Sequence, residues 1–267
     1  LKGLPFAQNR MNSFSDCRAT FLQMIPLFVI LPVWELSRSF LYFRMLMLVL
    51  YRHERGKYHF LMLGVTLSCF HLLWLTITPL IFVAIKWIVI GKYRAGRYPL
   101  WGSDYLRWWF VDVVRRMIGK GIWGSTDESM NFYYRLLGAK IGAHAHISHD
   151  AEVAEFDLVE IGEGAIIEHA TVRAFGCDNG AMILGPVSVG EHGSVGMHSV
   201  VAPHTNIPAG THLGPACSSY EITSAHVDPG KQIEHLRCNR SALPAPNMWW
   251  QMFVCNPLLF AIEVISQ

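Results

Sequence analysis

ILGPVSVGEHGSVGMHSVVAPHTNIPAGTHLGPAC (183–217) places an aliphatic residue at every sixth position: Ile183, Val189, Val195, Val201, Ile207 and Leu213. The fifth residue of each hexad is small or β-branched: Val187, Gly193, Ser199, Thr205, Thr211 and Cys217. The template recurs upstream at Ile141 and Ile147, with Ala145 and Ala151, and at Ile161 and Ile167, with Ala165 and Thr171. A period of six fits neither a helix of 3.6 residues per turn nor a strand of period two, so it requires a repeat architecture. The pattern predicts a left-handed parallel β-helix. Each hexad forms one side of a triangular coil, the aliphatic residue fills the prism, and the small residue fits a corner. Three hexads close a coil, so positions eighteen apart share a face and positions six apart point to three faces. Residues 141–218 are then about four coils, with a loop ejected where 173–182 breaks the rhythm.

The rest of the chain is apolar. Hydrophobic residues make up 52% of it, charged residues 16%, and mean hydropathy is +0.27. His59 to Ile85 is twenty-seven residues without Asp, Glu, Lys or Arg. As a helix it spans roughly 40 Å, enough to cross a hydrocarbon core of about 30 Å with tilt. Ser241 to Ile262 is a second such stretch, with Trp249 and Trp250 where an aromatic belt sits. Ala19 to Trp34 is shorter and holds Pro26 and Pro32; with its continuation to Tyr51 it reads as a kinked span, or as a span plus an interfacial helix. The runs are too long and too many for a signal peptide. The chain starts without Met and stops in an apolar run at Gln267, which reads as a piece of a longer polypeptide. Six cysteines (17, 69, 177, 217, 238 and 255) show no C-x-x-C pair, and Cys217 fills a small-residue corner.

Residues 86–120 carry eight basic and eight aromatic side chains against only Asp104 and Asp112. Ser103 and Asp104 offer an N-cap for a helix with Leu106, Trp109, Phe110, Val113 and Met117 on one face, and Arg107, Arg115 and Arg116 toward the other. Such a helix suits a headgroup layer. Nucleic acid is not expected as a partner, since the net charge is only +2 and apolar spans lie alongside. The positive-inside rule puts the N-terminal segment and the β-helix on the cytoplasmic side. The expected plan is an N-terminal segment with a transmembrane hairpin (1–90), a basic aromatic interfacial region (91–136), the β-helix (137–220), a linker (221–246) and a further span from 247 to 267. The fold class is thus membrane helices plus all-β.

Several segments resemble a known family. GKYRAGRYPLWGSDYLRWWFVD (91–112), GS at 124–125, YRLLGAKIG (134–142), DLVEIGEGA (157–165) and LGPVSVGEHGSVGMHSVVAP (184–203) are similar to the membrane-bound C-terminal region of Pls/PosA-type non-ribosomal peptide synthetases. The resemblance covers about 60 to 265. It implies an acyltransferase-like module in the bilayer. The acyl donor would be acyl-CoA or a carrier-protein thioester, supplied by fused adenylation and carrier domains, with no tightly bound cofactor. Hexapeptide β-helices are mostly acyltransferases, but a fold alone does not set an activity, and a scaffold or binding β-helix without chemistry is the alternative. The family pattern has a histidine before the final hexads. The corresponding stretch here, VRAFGCDNGAMILGPV (172–187), has none.

Acyl transfer to an amine needs a base with a pKa near neutrality, and histidine serves best. Of thirteen histidines, nine lie between 144 and 226. His144, His192, His198 and His204 hold the fourth hexad position, and the last three point along three edges, so they cannot converge on zinc within one chain. No metal site is expected; a metal-dependent hydratase is the third reading. His169, in IEHATV beside the irregular segment, is the candidate base. A carboxylate from the cluster Glu155, Asp157, Glu160 and Glu163 would orient it, Asp157 being the choice. Arg173 is a candidate for binding a carboxylate or phosphate, or for pairing with Asp178. Asp178 and Asn179 belong to the loop that would wall the site.

Overall fold

In the computed structural model, which describes residues 20–21, 23–52, 59–178 and 180–219, the hexads wind into a three-sided parallel β-helix. One face stacks β2 (Lys140–Ile141), β5 (Val159–Ile161), β10 (Val187–Val189) and β13 (Asn206–Ile207). The second stacks β3 (His146–Ile147), β6 (Ile166–Ile167), β11 (Ser194–Val195) and β14 (His212–Leu213). The third stacks β4 (Glu152–Ala154), β7 (Thr171–Arg173) and β12 (Val200–Val201). Aliphatic residues meet their own kind in each ladder: Ile141, Ile161, Val189 and Ile207; Ile147, Ile167, Val195 and Leu213; Val153, Val172 and Val201. All are buried, which is the burial that holds the coil together.

The expected spacing of eighteen holds between Val189 and Ile207. Between Ile141 and Ile161 it is twenty, because a 3-10 turn at Phe156–Leu158 is inserted. Between Ile161 and Val189 it is twenty-eight. The insertion responsible is a hairpin, β8 (Phe175–Asp178) and β9 (Ala181–Leu184), which pairs antiparallel and recruits β1 (Gly96–Pro99) to form a separate three-stranded sheet. The segment read as an ejected loop is therefore strand at Phe175–Asp178 and from Ala181 onward. Ile183, read as the first hexad aliphatic, sits half-buried in β9, while its neighbours Met182 and Leu184 are buried. A two-residue alternation had run into the six-residue pattern.

One corner of the coil, between the first and second faces, shows why the sequence there is restricted. At Gly142, Gly162 and Gly190 a Cβ would lie 2.4, 2.5 and 2.4 Å from the backbone nitrogen of Glu163, Glu191 and Ala209, so successive coils touch backbone to backbone. Two residues on, in the same corner, φ is positive at His144, Gly164, His192 and Gly210. Histidine and glycine alternate, and the His192 ring lies over Gly164, 2.5 Å from where a Cβ would stand.

The two apolar segments among the described residues are helical. A π-helical turn, Pro26–Ile30, leads into α1 (Leu31–Arg52), which packs on α2 (His59–Val89) through Trp34 on Trp74 and Tyr42 on Phe70. Gln23–Tyr51 and Leu61–Val89 are long and apolar enough to cross a membrane. Pro79 interrupts α2, and having no N–H it leaves the Leu75 carbonyl without a helical partner. A 3-10 turn, Gly121–Ser125, docks there: Gly121 abuts the Leu75 carbonyl, and Trp123 Nε1 donates to Thr76 O at 3.1 Å.

Between these parts run α3 (Ser103–Ile118) and α4 (Asp127–Leu136). Gly102, not Ser103, is the N-cap of α3. The buried face of α3 is Trp108, Val111, Asp112 and Val114, rotated from the expected face, whose members are only half-buried. The reason is electrostatic: Asp112 and Arg115 turn inward because each finds partners there. Thr126 caps α4 by accepting from Ser129 N. This helix closes the open end of the β-helix, with Arg135 donating to Ile141 O and Asn131 Nδ2 donating to Ala145 O. The further span expected at 247–267, the linker before it and Cys17, Cys238 and Cys255 lie outside the described residues.

Candidate functional site

The two-residue lengthening of the coil at 155–158 is where chemistry gathers. Glu155 adopts φ +52 with its side chain buried, a conformation that costs a non-glycine residue about 1–3 kcal/mol and persists only where surroundings enforce it. Arg173 Nη2 donates to Glu155 Oε1 at 2.6 Å, and Trp108 Nε1 donates to the same oxygen at 2.8 Å. Arg173 also reaches Asp112 at 3.2 Å and Glu152 at 3.5 Å. Arg115 joins Asp112 at 2.9 Å and Glu152 at 2.7 Å, and Arg116 pairs with Asp112. Burial alone would raise the Asp112 carboxyl, but Arg173, Arg115 and Arg116 outweigh it and hold the group below the usual carboxylate range. Three cations and three carboxylates thus fasten α3 to β4 and β7. Trp108 stacks flat on Phe175, centroids 4.2 Å apart, which ties the hairpin to the same cluster.

Alongside lies a second pair. Lys86, in the last turn of α2, has no solvent exposure and donates to Asp157 Oδ2 at 2.6 Å. Tyr93 N–H donates to the same oxygen at 3.0 Å. Gly138 is required opposite it, since a Cβ there would lie 2.2 Å from Asp157 Oδ1. Burial, with Glu155, Asp112 and Asp157 adding to it, pushes the Tyr93 phenol far above its ordinary value, so it remains a neutral hydroxyl. A cavity of about 550 Å³ opens beside these groups, lined by Ile90, Tyr93, Trp108 and Leu184 among others.

The residues expected to form a site are dispersed. His169 is exposed at a coil corner, its ring 4.9 Å from that of His198, whose N–H donates to the His169 carbonyl. His169 makes no side-chain hydrogen bond among the described residues. Asp157, the expected orienting carboxylate, is committed to Lys86 and Tyr93. Arg173 pairs with Glu155 rather than Asp178. Asp178 is exposed at the hairpin and takes Arg97 at 3.4 Å. Asn179 lies outside the described residues. His192, His198 and His204 occupy three corners with positive φ, as the hexad arithmetic requires.

Sequence reasoning missed Lys86, Trp108, Glu152 and Asp112. One signal was present: Asp112 stands three and four residues before Arg115 and Arg116, the spacing of helical ion pairs, in a segment with only two acids. A Lys closing an uncharged run of twenty-seven residues was the other.

No protein-family model matches the chain. A stretch of 166 residues is 30% identical to Delta-poly-L-ornithine synthetase of Acinetobacter baumannii (strain AB307-0294), covering 58% of this chain and 12% of that protein. Among solved structures, serine acetyltransferase 1 of Entamoeba histolytica in complex with L-cysteine aligns over 67% of this chain and 74% of its own, at 15% identity and a TM-score of 0.21. Isoform 3 from the same organism aligns over 68% and 69%, at 16% identity and 0.16. The chain is similar in sequence to a small part of that synthetase, spanning about an eighth of its length, and what it carries is a hexapeptide-repeat β-helix.

Proposed function

We propose that this chain is a membrane-bound acyl-transfer or amide-forming module of a longer, synthetase-type enzyme, with its β-helix on the cytoplasmic side. The observation that carries the reading is the 30% identity to an ornithine-polymer synthetase over 166 residues. The apolar helices α1 and α2 supply the membrane part. The donor is an acyl or aminoacyl thioester, on coenzyme A or on a carrier domain, and the acceptor an amine or hydroxyl. The acceptor nitrogen attacks the thioester carbonyl, a C–N bond forms, the C–S bond breaks, and the proton lost by the amine leaves with the thiol. His169, exposed at its corner, is the base that carries this proton. Arg173, Asp178 and Asn179 keep their proposed place on the donor side, with Arg173 over the Phe175 ring of β8, the strand that ends at Asp178.

The test is product formation by the full-length protein with its activated donor. His169→Gln should lower the rate by about 10²–10⁴-fold, the usual loss of a general base. His198 is unsuitable as a control because its ring rests on His169. His144→Asn is suitable: the site is exposed on another edge, and asparagine tolerates its positive φ. Equal rates in all three proteins would remove His169 from the mechanism.

The second reading is a β-helix without chemistry. It is favoured by one observation: the stretch where family members carry a histidine is here built into the hairpin β8–β9 and its strand partner β1. Absence of product from the full-length wild type with every thioester tried would select it.

A further inference from the structure

The 550 Å³ cavity has two unlike halves. Tyr93, Trp108, Met182 and Leu184 form an apolar cluster of their own, distinct from the core of the coil, with Ile90 and Tyr98 packed on it. These residues are the cavity's inner lining. Lys92, Arg94 and Arg107 complete the lining, and all three are exposed. None of them pairs with a carboxylate among the described residues. Asp104 is the one acid on the lining, so three cations less one carboxylate leave two positive charges at the opening. The nearby Asp112, Glu155 and Asp157 cannot neutralise them, because each is already matched within the buried network. The volume falls within the range that holds a small ligand.

We infer that this cavity binds a phosphate-bearing amphiphile, with its phosphate between Lys92, Arg94 and Arg107 and its apolar arm along Trp108, Met182 and Leu184. Guanidinium groups in pairs match phosphate oxygens, and unpaired cations at a cavity mouth draw anions in. The neutral Tyr93 hydroxyl adds a donor on the lining. Two sources carry this chemistry: the phosphate-linked arm of a coenzyme A or carrier thioester, and an anionic phospholipid at the end of α2. The first of these rests on the acyl-transfer reading; the second does not.

The experiment uses the full chain in phosphatidylcholine nanodiscs. Decanoyl-coenzyme A binding is followed by titration calorimetry, and retention of added phosphatidylglycerol by native mass spectrometry. Arg94→Gln with Arg107→Gln should weaken binding at least about tenfold, the scale of losing charge-assisted contacts. Lys140→Gln, on an exposed side chain paired with Glu160 on the β-helix, should leave binding unchanged. Thermal transitions of all variants establish that they are folded. Loss of the coenzyme A thioester identifies the donor, and loss of phosphatidylglycerol alone identifies the lipid; either supports the site. No saturable binding to the unsubstituted chain, or equal affinities in wild type and the double variant, overturns it. Because the readout is binding, a protein that binds but forms no product would fail the acyl-transfer reading while keeping this one.

Discussion

Arg173 directs each guanidinium nitrogen at a carboxylate, and Glu155 depends on it most, since that side chain is only 1% exposed. Replacing Arg173 by Met leaves a buried charge without its partner, at a cost of about 3–5 kcal/mol. A fall in the thermal transition much larger than that of Arg116→Met, whose side chain is mostly exposed, is the expected result; equal effects would refute the network's role. Lys120 gives a pH test. Burial, helped by Arg115, lowers its ammonium pKa to about 8, although the carbonyls of His149 and Ala151 accept from it. Between that value and the ordinary 10.5 the unfolded chain holds more protons than the folded one, so this residue's contribution to stability rises with pH across the window. Melting curves from pH 7.5 to 10 should therefore show wild type gaining on Lys120→Met; parallel curves would refute it. At this scale the sequence was only partly legible. Glu155 and Asp157 were visible as acids, but which cation each would meet depended on how α3 and α2 return to the coil, and no local pattern encodes that.

The hairpin β8–β9 is the element that joins everything else. β9 is a central strand, paired with β1 on one side and β8 on the other. Proline there removes a donor that a central strand needs and costs about 3 kcal/mol or more by analogy with other interior sites. Ile183→Pro should raise hydrogen exchange across 96–99 and 175–184 while the amides of 187–213 stay protected. Unchanged exchange in the hairpin would show that this sheet does not behave as a unit. The coil itself was legible because its period is unusual and its ladders need only aliphatic residues in register. Ile183 was misplaced for an instructive reason: all of AMIL (181–184) is apolar, so Ile183 continues the six-residue grid although the buried phase of its strand is Met182 and Leu184. Periodicity cannot separate the two where a strand of one sheet runs into the next.

For the whole molecule, α1 and α2 should keep the protein in the membrane pellet through alkaline carbonate extraction, and release into the supernatant would remove the membrane proposal. The existence of α2 was readable from uncharged length, and that of α1 only as the charged continuation of a shorter apolar run, whereas the inward face of α3 was not readable, because a pattern search counts Asp112 and Arg115 as polar and places them outside. The notch at Pro79 has a further consequence for depth. Gly121–Ser125 grips α2 at Leu75 and Thr76, and from Leu75 to Val89 the helix runs roughly 21 Å. That length stands alongside the folded domain instead of being free for lipid on all sides. In a bilayer the β-helix would then be moored partly sunken, like a hull, with its cavity at the waterline. On the proposed readings, the amphiphile that this cavity takes would reach the opening by sliding along the leaflet as readily as by arriving from water.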